Sequence, residues 1–322
     1  MIEAPPECGG ATGQGAAKRA LHRGRALVDP ALREAVDNLP GSLRRIAGYH
    51  LGWWDAQGLH ENGTAAGKAL RPALALLAAE AVGGTAADAL PAATAVELVH
   101  NFSLLHDDVM DGDAMRRHRP TAWSVFGVGS AILCGDALLA LAFDVLAASG
   151  RPQSTEAARM LAAAVADLIA GQGEDLAFEL RDDVDLNECL AMARKKTAAL
   201  LEASMGLGAL FGNGSASRIE LLREFGADVG LAFQLSDDLL GIWGDPALTG
   251  KPVYSDLRRR KKSLPVVAAL GSGAAGGARL AEAYRHRRPL SDEELAALAG
   301  AVERAGGRAF CAQLAGELLG RA

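Results

Sequence analysis

The stretch "ALPAATAVELVHNFSLLHDDVMD" (89–111) decides the fold class of this chain. Apolar residues recur at helical spacing up to an acidic cluster, which predicts one long helix. The cluster holds three carboxylates within five residues, Asp107, Asp108 and Asp111. On a helix Asp107 and Asp111 share a face, and Asp108 lies beside them. Like charges so spaced repel unless a cation sits among them. An isolated acidic cluster is as readily a solvated helix end. Here the preceding residues are those of a buried helix, so the carboxylates are expected near a cavity mouth. Hard carboxylate oxygens suit Mg²⁺, which takes one or two of them and completes its shell with water and substrate phosphate.

Helix follows helix in both directions from this point. "PALREAVDNL" (30–39) opens on proline, with Asp29 as its expected cap. "ALRPALALLAAEAVG" (69–83) ends on glycine. "SAILCGDALLALAFDVLAAS" (130–149) is apolar on nearly all sides and is expected to be central and buried. "STEAARMLAAAVADLIAGQGEDLAFE" (154–179), "LNECLAMARKKTAALLEASMGLGALFG" (186–212) and "SRIELLREFGADVGLAFQLSDDLLGIWG" (217–244) continue the pattern. A last pair spans about 263–284 and 291–319. No period-two alternation is long enough for a sheet, and no short repeat recurs. The fold class is therefore all-α. Residues 1–20, rich in Gly, Ala and Pro, are expected to form a disordered tail, and 21–322 a single domain.

Composition agrees. Of 322 residues, 50% are hydrophobic and only 5% aromatic, a balance that favours helix. A net charge of −6 argues against a general nucleic-acid surface, so any cations for an anionic substrate must be local. Cys8, Cys134, Cys189 and Cys311 are scattered without ligand-like spacing, which argues against a thiolate metal site and for reduced structural thiols in a cytoplasmic protein. No signal peptide is evident. Acidic residues and glycines interrupt every apolar run, so no transmembrane segment is expected.

A second acidic pair, Asp237 and Asp238, lies in "FQLSDDLLGIWGD", with Gln234 one turn before Asp238. Two apolar helices that each end in aspartates imply a metal site shared between them. Cations accompany both. "GKALRP" supplies Lys68 and Arg71, and His100 stands two turns before Asp107. Arg116 and Arg117 follow the first cluster. "RKKTAAL" offers Lys196 and Thr197, "TGKP" offers Lys251, and "RRRKKSLP" offers Lys261 and Lys262. Singly each reads as a solvated side chain. Together they can hold two diphosphates, one bridged to the aspartates by Mg²⁺ and one gripped directly.

With these motifs in order, residues 30–290 resemble the trans-isoprenyl diphosphate synthases, the polyprenyl synthetase family. The resemblance rests on "GKALRP", "ELVHNFSLLHDDVMD" with "RR" following, "GQGEDLAFE", "KKTAALL", "FQLSDDLLGIWGD" and "TGKPVYSDLRRRKKSLP". It implies a bundle of ten or more helices around a deep central cavity, usually a homodimer. It also implies Mg²⁺ as cofactor, three ions in all, with Mn²⁺ as a substitute. The substrates it implies are isopentenyl diphosphate and an allylic prenyl diphosphate. By the same resemblance Asp107, Asp108, Asp111, Asp237 and Asp238 hold metal. Lys68, Arg71, His100 and Arg117 form the isopentenyl diphosphate site. Arg116, Lys196, Thr197, Gln234, Lys251 and one of Lys261 or Lys262 contact the allylic diphosphate.

One position departs from the family. The second motif is often DDxxD, and its last place here is Gly241, a glycine that costs a helix about 1 kcal/mol relative to alanine. A terpene cyclase would share the first motif but needs no second diphosphate site, and a non-catalytic partner subunit tends to lose its metal-binding acids. Chain length is read from Ser103, small and four before Asp107, and Phe102, large and five before it. That pattern resembles geranylgeranyl diphosphate synthases, with a farnesyl or longer product as the alternative.

Overall fold

The computed structural model describes residues 10–60, 67, 69–246, 252–286 and 288–322, and Lys68 and Lys251 lie outside them. Helix dominates. The strands among the described residues are two short ones, β1 (Met115–Arg116) and β2 (Arg119–Pro120), paired antiparallel with Arg116 opposite Arg119. Contacts divide the chain into two compact units, one of residues 1–158 and 204–219, the other of 159–203 and 220–322.

The first unit carries α1 (Gly10–Asp37), α2 (Gly41–His50), α3 (Leu70–Ala81), α4 (Leu90–Met110), the β hairpin, α5 (Ala122–Phe126) and α6 (Val128–Ala148). α4 packs most extensively against α6, and also against α3 and α1. Its alanines at 92, 93 and 95 let neighbours approach closely, while Leu98, Val99, Phe102 and Leu105 fill the core beyond them. Burying each large side chain contributes about 1.5–3 kcal/mol, which holds the acidic end of α4 in place.

Expectations for α1 and α6 change here. α1 starts at Gly10, inside the stretch expected to be disordered, and runs through Pro30 instead of starting there. Asp29 does not cap a helix; its carboxylate accepts a hydrogen bond from Arg25 one turn earlier, at 3.2 Å. α6 is long and apolar enough to cross a membrane by length and composition, with mean hydropathy 2.0 over its best window. Asp136 and Asp144 interrupt that run as expected, and the core helix of a protein that spans no membrane passes the same test of length and composition. α6 is not buried all round. Ala131, Cys134, Leu138, Ala142 and Leu146 form one buried stripe, while Val128, Ile132 and Leu133 are exposed.

The second unit centres on two apolar clusters. One joins Phe178, Met192, Leu231, Leu235, Leu264, Val267 and Leu318. The other joins Ile242, Leu257, Val266, Leu280, Leu295, Leu298 and Val302. The elements are the greater part of α7 (Ser154–Glu179), α8 (Leu186–Ala193), a π-helical turn (Arg194–Ala198), the start of α9 (Ala199–Phe211) and most of α10 (Ala216–Trp243). After them come α11 (Ser255–Arg258), α12 (Leu264–Gly271), α13 (Ala275–Arg285), α14 (Asp292–Arg304) and α15 (Gly307–Arg321). The expected last pair of helices is thus four. Gly273 (φ 69°) and Gly306 (φ 86°) adopt left-handed conformations that end helices, and each starts a new direction. Capping boxes, Asp185 with Glu188 and Ser291 with Glu294, start α8 and α14. Cys134, Cys189 and Cys311 are buried and free, as expected of structural thiols.

Candidate active site

The end of α4 presents its carboxylates at three depths. Asp107 is half-buried, Asp108 is buried and Asp111 is exposed at the C-cap, its N–H donating to the Asp107 carbonyl at 2.8 Å. Asp108 Oδ1 accepts from Arg116 Nε at 2.7 Å. Its Oδ2 is buried and has no hydrogen-bond partner among the described residues. Burial pushes the Asp108 pKa up to about 6, against the pull of Arg116, and Asp113 and Asp107 push the same way. A buried carboxylate oxygen without a partner, beside two further acids, is the donor chemistry of a hard cation, and Mg²⁺ fits it. Among the described residues no three His, Cys, Asp or Glu side chains could hold an ion by themselves. Such a site draws its remaining ligands from water and phosphate.

The hairpin after α4 aims the arginines. Arg117 (φ 49°) and His118 (φ 62°) form its two-residue turn in left-handed conformations that Asn-Gly usually supplies. Each such non-glycine residue costs about 1–2 kcal/mol. The hairpin is held from outside. Tyr49 donates to the Pro120 carbonyl at 2.7 Å, and Arg119 stacks on the Tyr49 ring at 4.5 Å while donating to the Trp54 carbonyl. Arg117 consequently lines two cavities. One is also lined by His50, Asp108, Arg116 and Arg119, and the other by Gly67, Glu97 and Asn101. Among the described residues the other left-handed non-glycines are Ala69, Asn213, Tyr254 and Arg260. All but Asn213 lie in the motif segments, where strain persists only if surrounding contacts over-determine it.

Arg71 and His100 meet at 3.4 Å, and the Arg71 Nε is buried without a partner among the described residues. Burial, then Arg71 and Arg117, hold the His100 pKa well below its usual value, so the ring is neutral. Three of the four residues expected to bind isopentenyl diphosphate therefore share one electrostatic neighbourhood. His50, the last residue of α2, joins them unforeseen. Its Nε2 is buried without a partner, and burial with Arg116 and Arg117 pushes its pKa down to about 3. No pattern in "YHLGWW" signals it.

In the second unit the π-helical turn carries Lys196 and Thr197 and is gripped by two glycines. A Cβ on Gly171 of α7 would lie 2.8 Å from the Lys196 Cα, and one on Gly230 of α10 would lie 2.6 Å from the Ala198 Cα. Only hydrogen at both places allows three backbones this close. α7 supplies two parallel ion pairs, Glu174 with Lys195 and Asp175 with Lys196, each at 2.5 Å. Thr197 donates to Gln234 Oε1 at 2.5 Å, Gln234 donates to Asp238 Oδ1 at 2.7 Å, and the Leu264 N–H donates to Asp238 Oδ2 at 2.9 Å. Burial pushes the Asp238 pKa up to about 6 despite Lys261, and Asp256 pushes it further. Asp237 is exposed.

The lysine pair separates by burial. Lys262 is buried, 8% exposed, and its ammonium donates to the Phe178 carbonyl near the end of α7 at 2.6 Å. Lys261 instead lowers the pKa of both Asp175 and Asp238. At Gly241 a Cβ would lie 2.5 Å from the Asp256 carboxyl carbon, the end of a side chain that can turn aside, and Ser255 donates to the Gly241 carbonyl at 3.1 Å. Phe102 is buried edge-on to His106, ring centroids 4.8 Å apart, and Ser103 is buried with its hydroxyl on the His100 carbonyl.

Comparison with known proteins fits these motifs. The polyprenyl synthetase family model matches residues 54–302. A (2E,6E)-farnesyl diphosphate synthase of Mycobacterium tuberculosis is 51% identical over 285 residues, 88% of this chain and 79% of that protein. A geranylgeranyl diphosphate synthase of the same organism is 48% identical over 291 residues, 90% of this chain and 83% of that protein. The crystal structure of a polyprenyl synthetase from Streptomyces coelicolor A3(2) superposes with a TM-score of 0.90 at 50% identity, covering 94% of this chain and 91% of that one. By its motifs, its all-helical fold and these relatives, the chain belongs to the polyprenyl synthetase family.

Proposed function

We propose that this prenyltransferase condenses an allylic prenyl diphosphate with isopentenyl diphosphate, head to tail and in a magnesium-dependent reaction, and that its main product is geranylgeranyl diphosphate. The observation that carries the reading is the unpartnered, buried Oδ2 of Asp108 among the motif acids, next to the buried cluster of Arg71, His100 and Arg117. The first suits a metal-bridged diphosphate and the second a diphosphate gripped directly. Asp107, Asp108, Asp111 and Asp237 would hold magnesium, which supplies charge neutralisation for the leaving diphosphate. Asp238 has both oxygens engaged by Gln234 and Leu264 and orients the Gln234 amide.

The remaining work falls to side chains. Arg116, Lys196 and Lys261 steady the departing diphosphate. Arg71, His100 and Arg117 hold isopentenyl diphosphate. Apolar helix walls keep water from the allylic cation. The double bond of isopentenyl diphosphate attacks that cation, and the proton then lost goes to the released diphosphate. Phe102 and Ser103 support a twenty-carbon limit, because the side chain at 103, one turn before Asp107, is smaller than an aromatic would be. We further infer a homodimer, supported by the exposed Val128, Ile132 and Leu133 of α6.

Calorimetry tests the two-subsite reading. Isopentenyl diphosphate should bind the metal-stripped protein, while an unreactive allylic analogue should bind only with Mg²⁺. Metal-independent binding of the allylic analogue would refute the division.

A further inference from the structure

The motif "GQGEDLAFE" contains a side chain that the reading above leaves without a task. Gln172 is 5% exposed, and neither its Nε2 nor its Oε1 has a hydrogen-bond partner among the described residues. A buried amide with both ends unsatisfied is costly, and native proteins seldom keep one without a use. Its neighbours suggest the use. Gly171, the residue before it, touches the Lys196 backbone, and Asp175, three residues on, pairs with the Lys196 ammonium. Residues three apart on a helix are neighbours, and a Gln–Asp hydrogen bond at this spacing is a known stabilising pair.

Asp175 depends on cations that have a second duty. Burial pushes its pKa up, but Lys261 and then Lys196 pull it below the ordinary value. Both lysines are those proposed to hold the allylic diphosphate. An ammonium that turns to a diphosphate loosens its hold on Asp175, and a buried carboxylate that loses its partner is strongly destabilising. The molecule therefore needs a replacement donor beside Asp175 in the liganded state, and a donor that is idle in the ligand-free state. Gln172 is idle, buried and one turn away.

We propose that Gln172 is a positioning residue: its amide N–H takes over the Asp175 carboxylate when Lys196 turns to the allylic diphosphate. The exchange is complete in atoms and charge, since one N–H···O bond replaces another and no proton moves. It rests on the proposed assignment of Lys196 to that substrate. Lys195 and Glu174, the more exposed pair alongside, keep α7 and the π-helical turn together during the exchange.

The test is a double-mutant cycle in the full-length, magnesium-loaded protein. Gln172→Leu should raise the allylic KM about tenfold, the loss of one hydrogen bond to a charged group, and leave the isopentenyl KM within about twofold. Gln172→Glu, which sets a like charge beside Asp175, should raise it further. In an Asp175→Asn background Gln172→Leu should change the allylic KM less than about twofold. Calorimetric binding of inorganic diphosphate with Mg²⁺, which needs no turnover, should show the same pattern. An equal effect of Gln172→Leu in both backgrounds, or equal rises in both KM values, overturns the proposal. If Gln172→Leu does not fold, Gln172→Glu alone decides, since an unchanged allylic KM would contradict it. Wild-type protein that binds no diphosphate at all would refute the functional reading itself, a distinct result.

Discussion

Gly171→Ala tests whether close backbone contact positions the π-helical turn. The added Cβ would stand 2.8 Å from the Lys196 Cα, and ordinary contact begins at 3.4 Å, so the turn must move by more than half an ångström. Over-packing of this kind costs about 1–3 kcal/mol. Alanine in a helix interior returns about 1 kcal/mol relative to glycine, so the net loss is about 0–2 kcal/mol. The kinetic cost is larger, because a displacement near 1 Å at a reacting site can lower the rate about 100-fold. Gly173→Ala is the control. It lies on the same helix two residues on, is exposed, and would meet nothing within 4 Å. Urea unfolding should show Gly171→Ala destabilised and Gly173→Ala stabilised by about 1 kcal/mol. Steady-state turnover should fall only in the first. If both variants gain stability and keep full activity, the contact does not position Lys196.

Five further outcomes follow from single side chains. Asp107→Ala and Asp237→Ala should each abolish most elongation while leaving circular dichroism unchanged; near-normal turnover at saturating Mg²⁺ would remove them from the metal site. Lys262→Met should lower stability by about 1–3 kcal/mol in denaturant titration, through loss of the charged hydrogen bond to the Phe178 carbonyl, which keeps only the Arg181 N–H at 3.3 Å, with a modest effect on KM. Lys261→Met should do the reverse and raise the allylic KM. His118→Gly should raise Tm by a few degrees, because glycine takes φ 62° without strain, and a lower Tm would show that the histidine contributes contacts of its own. Ser103→Phe should shorten the main product to fifteen carbons, read by chromatography of the dephosphorylated alcohols.

How much was legible in the sequence depended on distance along the chain. The periodicity of α4 and α10 and the chemistry of their acidic ends are local, and both motifs stand at the ends of apolar helices as expected. The π-helical turn within 186–212 was hidden, because it depends on Gly171 and Gly230, residues from two other helices. Spacing could not separate Lys261 from Lys262. Only the end of α7, which takes the Lys262 ammonium into the core, does so. Gly241 reads in the sequence as a tolerated loss of one carboxylate, and spacing gave no sign that the Asp256 carboxylate, fifteen residues on, lies beside it. His50 carried no signal, since its importance lies in an empty nitrogen among arginines from a hairpin some sixty residues later. Hydropathy marked α6 as apolar, yet says nothing about which face other helices cover.

The central claim is prenyl elongation, and one incubation tests it. Purified protein with Mg²⁺, farnesyl diphosphate and labelled isopentenyl diphosphate should give a labelled twenty-carbon alcohol after dephosphorylation, and none with a chelator present. No extension of dimethylallyl, geranyl or farnesyl diphosphate, or hydrocarbon from geranylgeranyl diphosphate supplied without isopentenyl diphosphate, would contradict it, whereas extension of the shorter starters alone would contradict the twenty-carbon product.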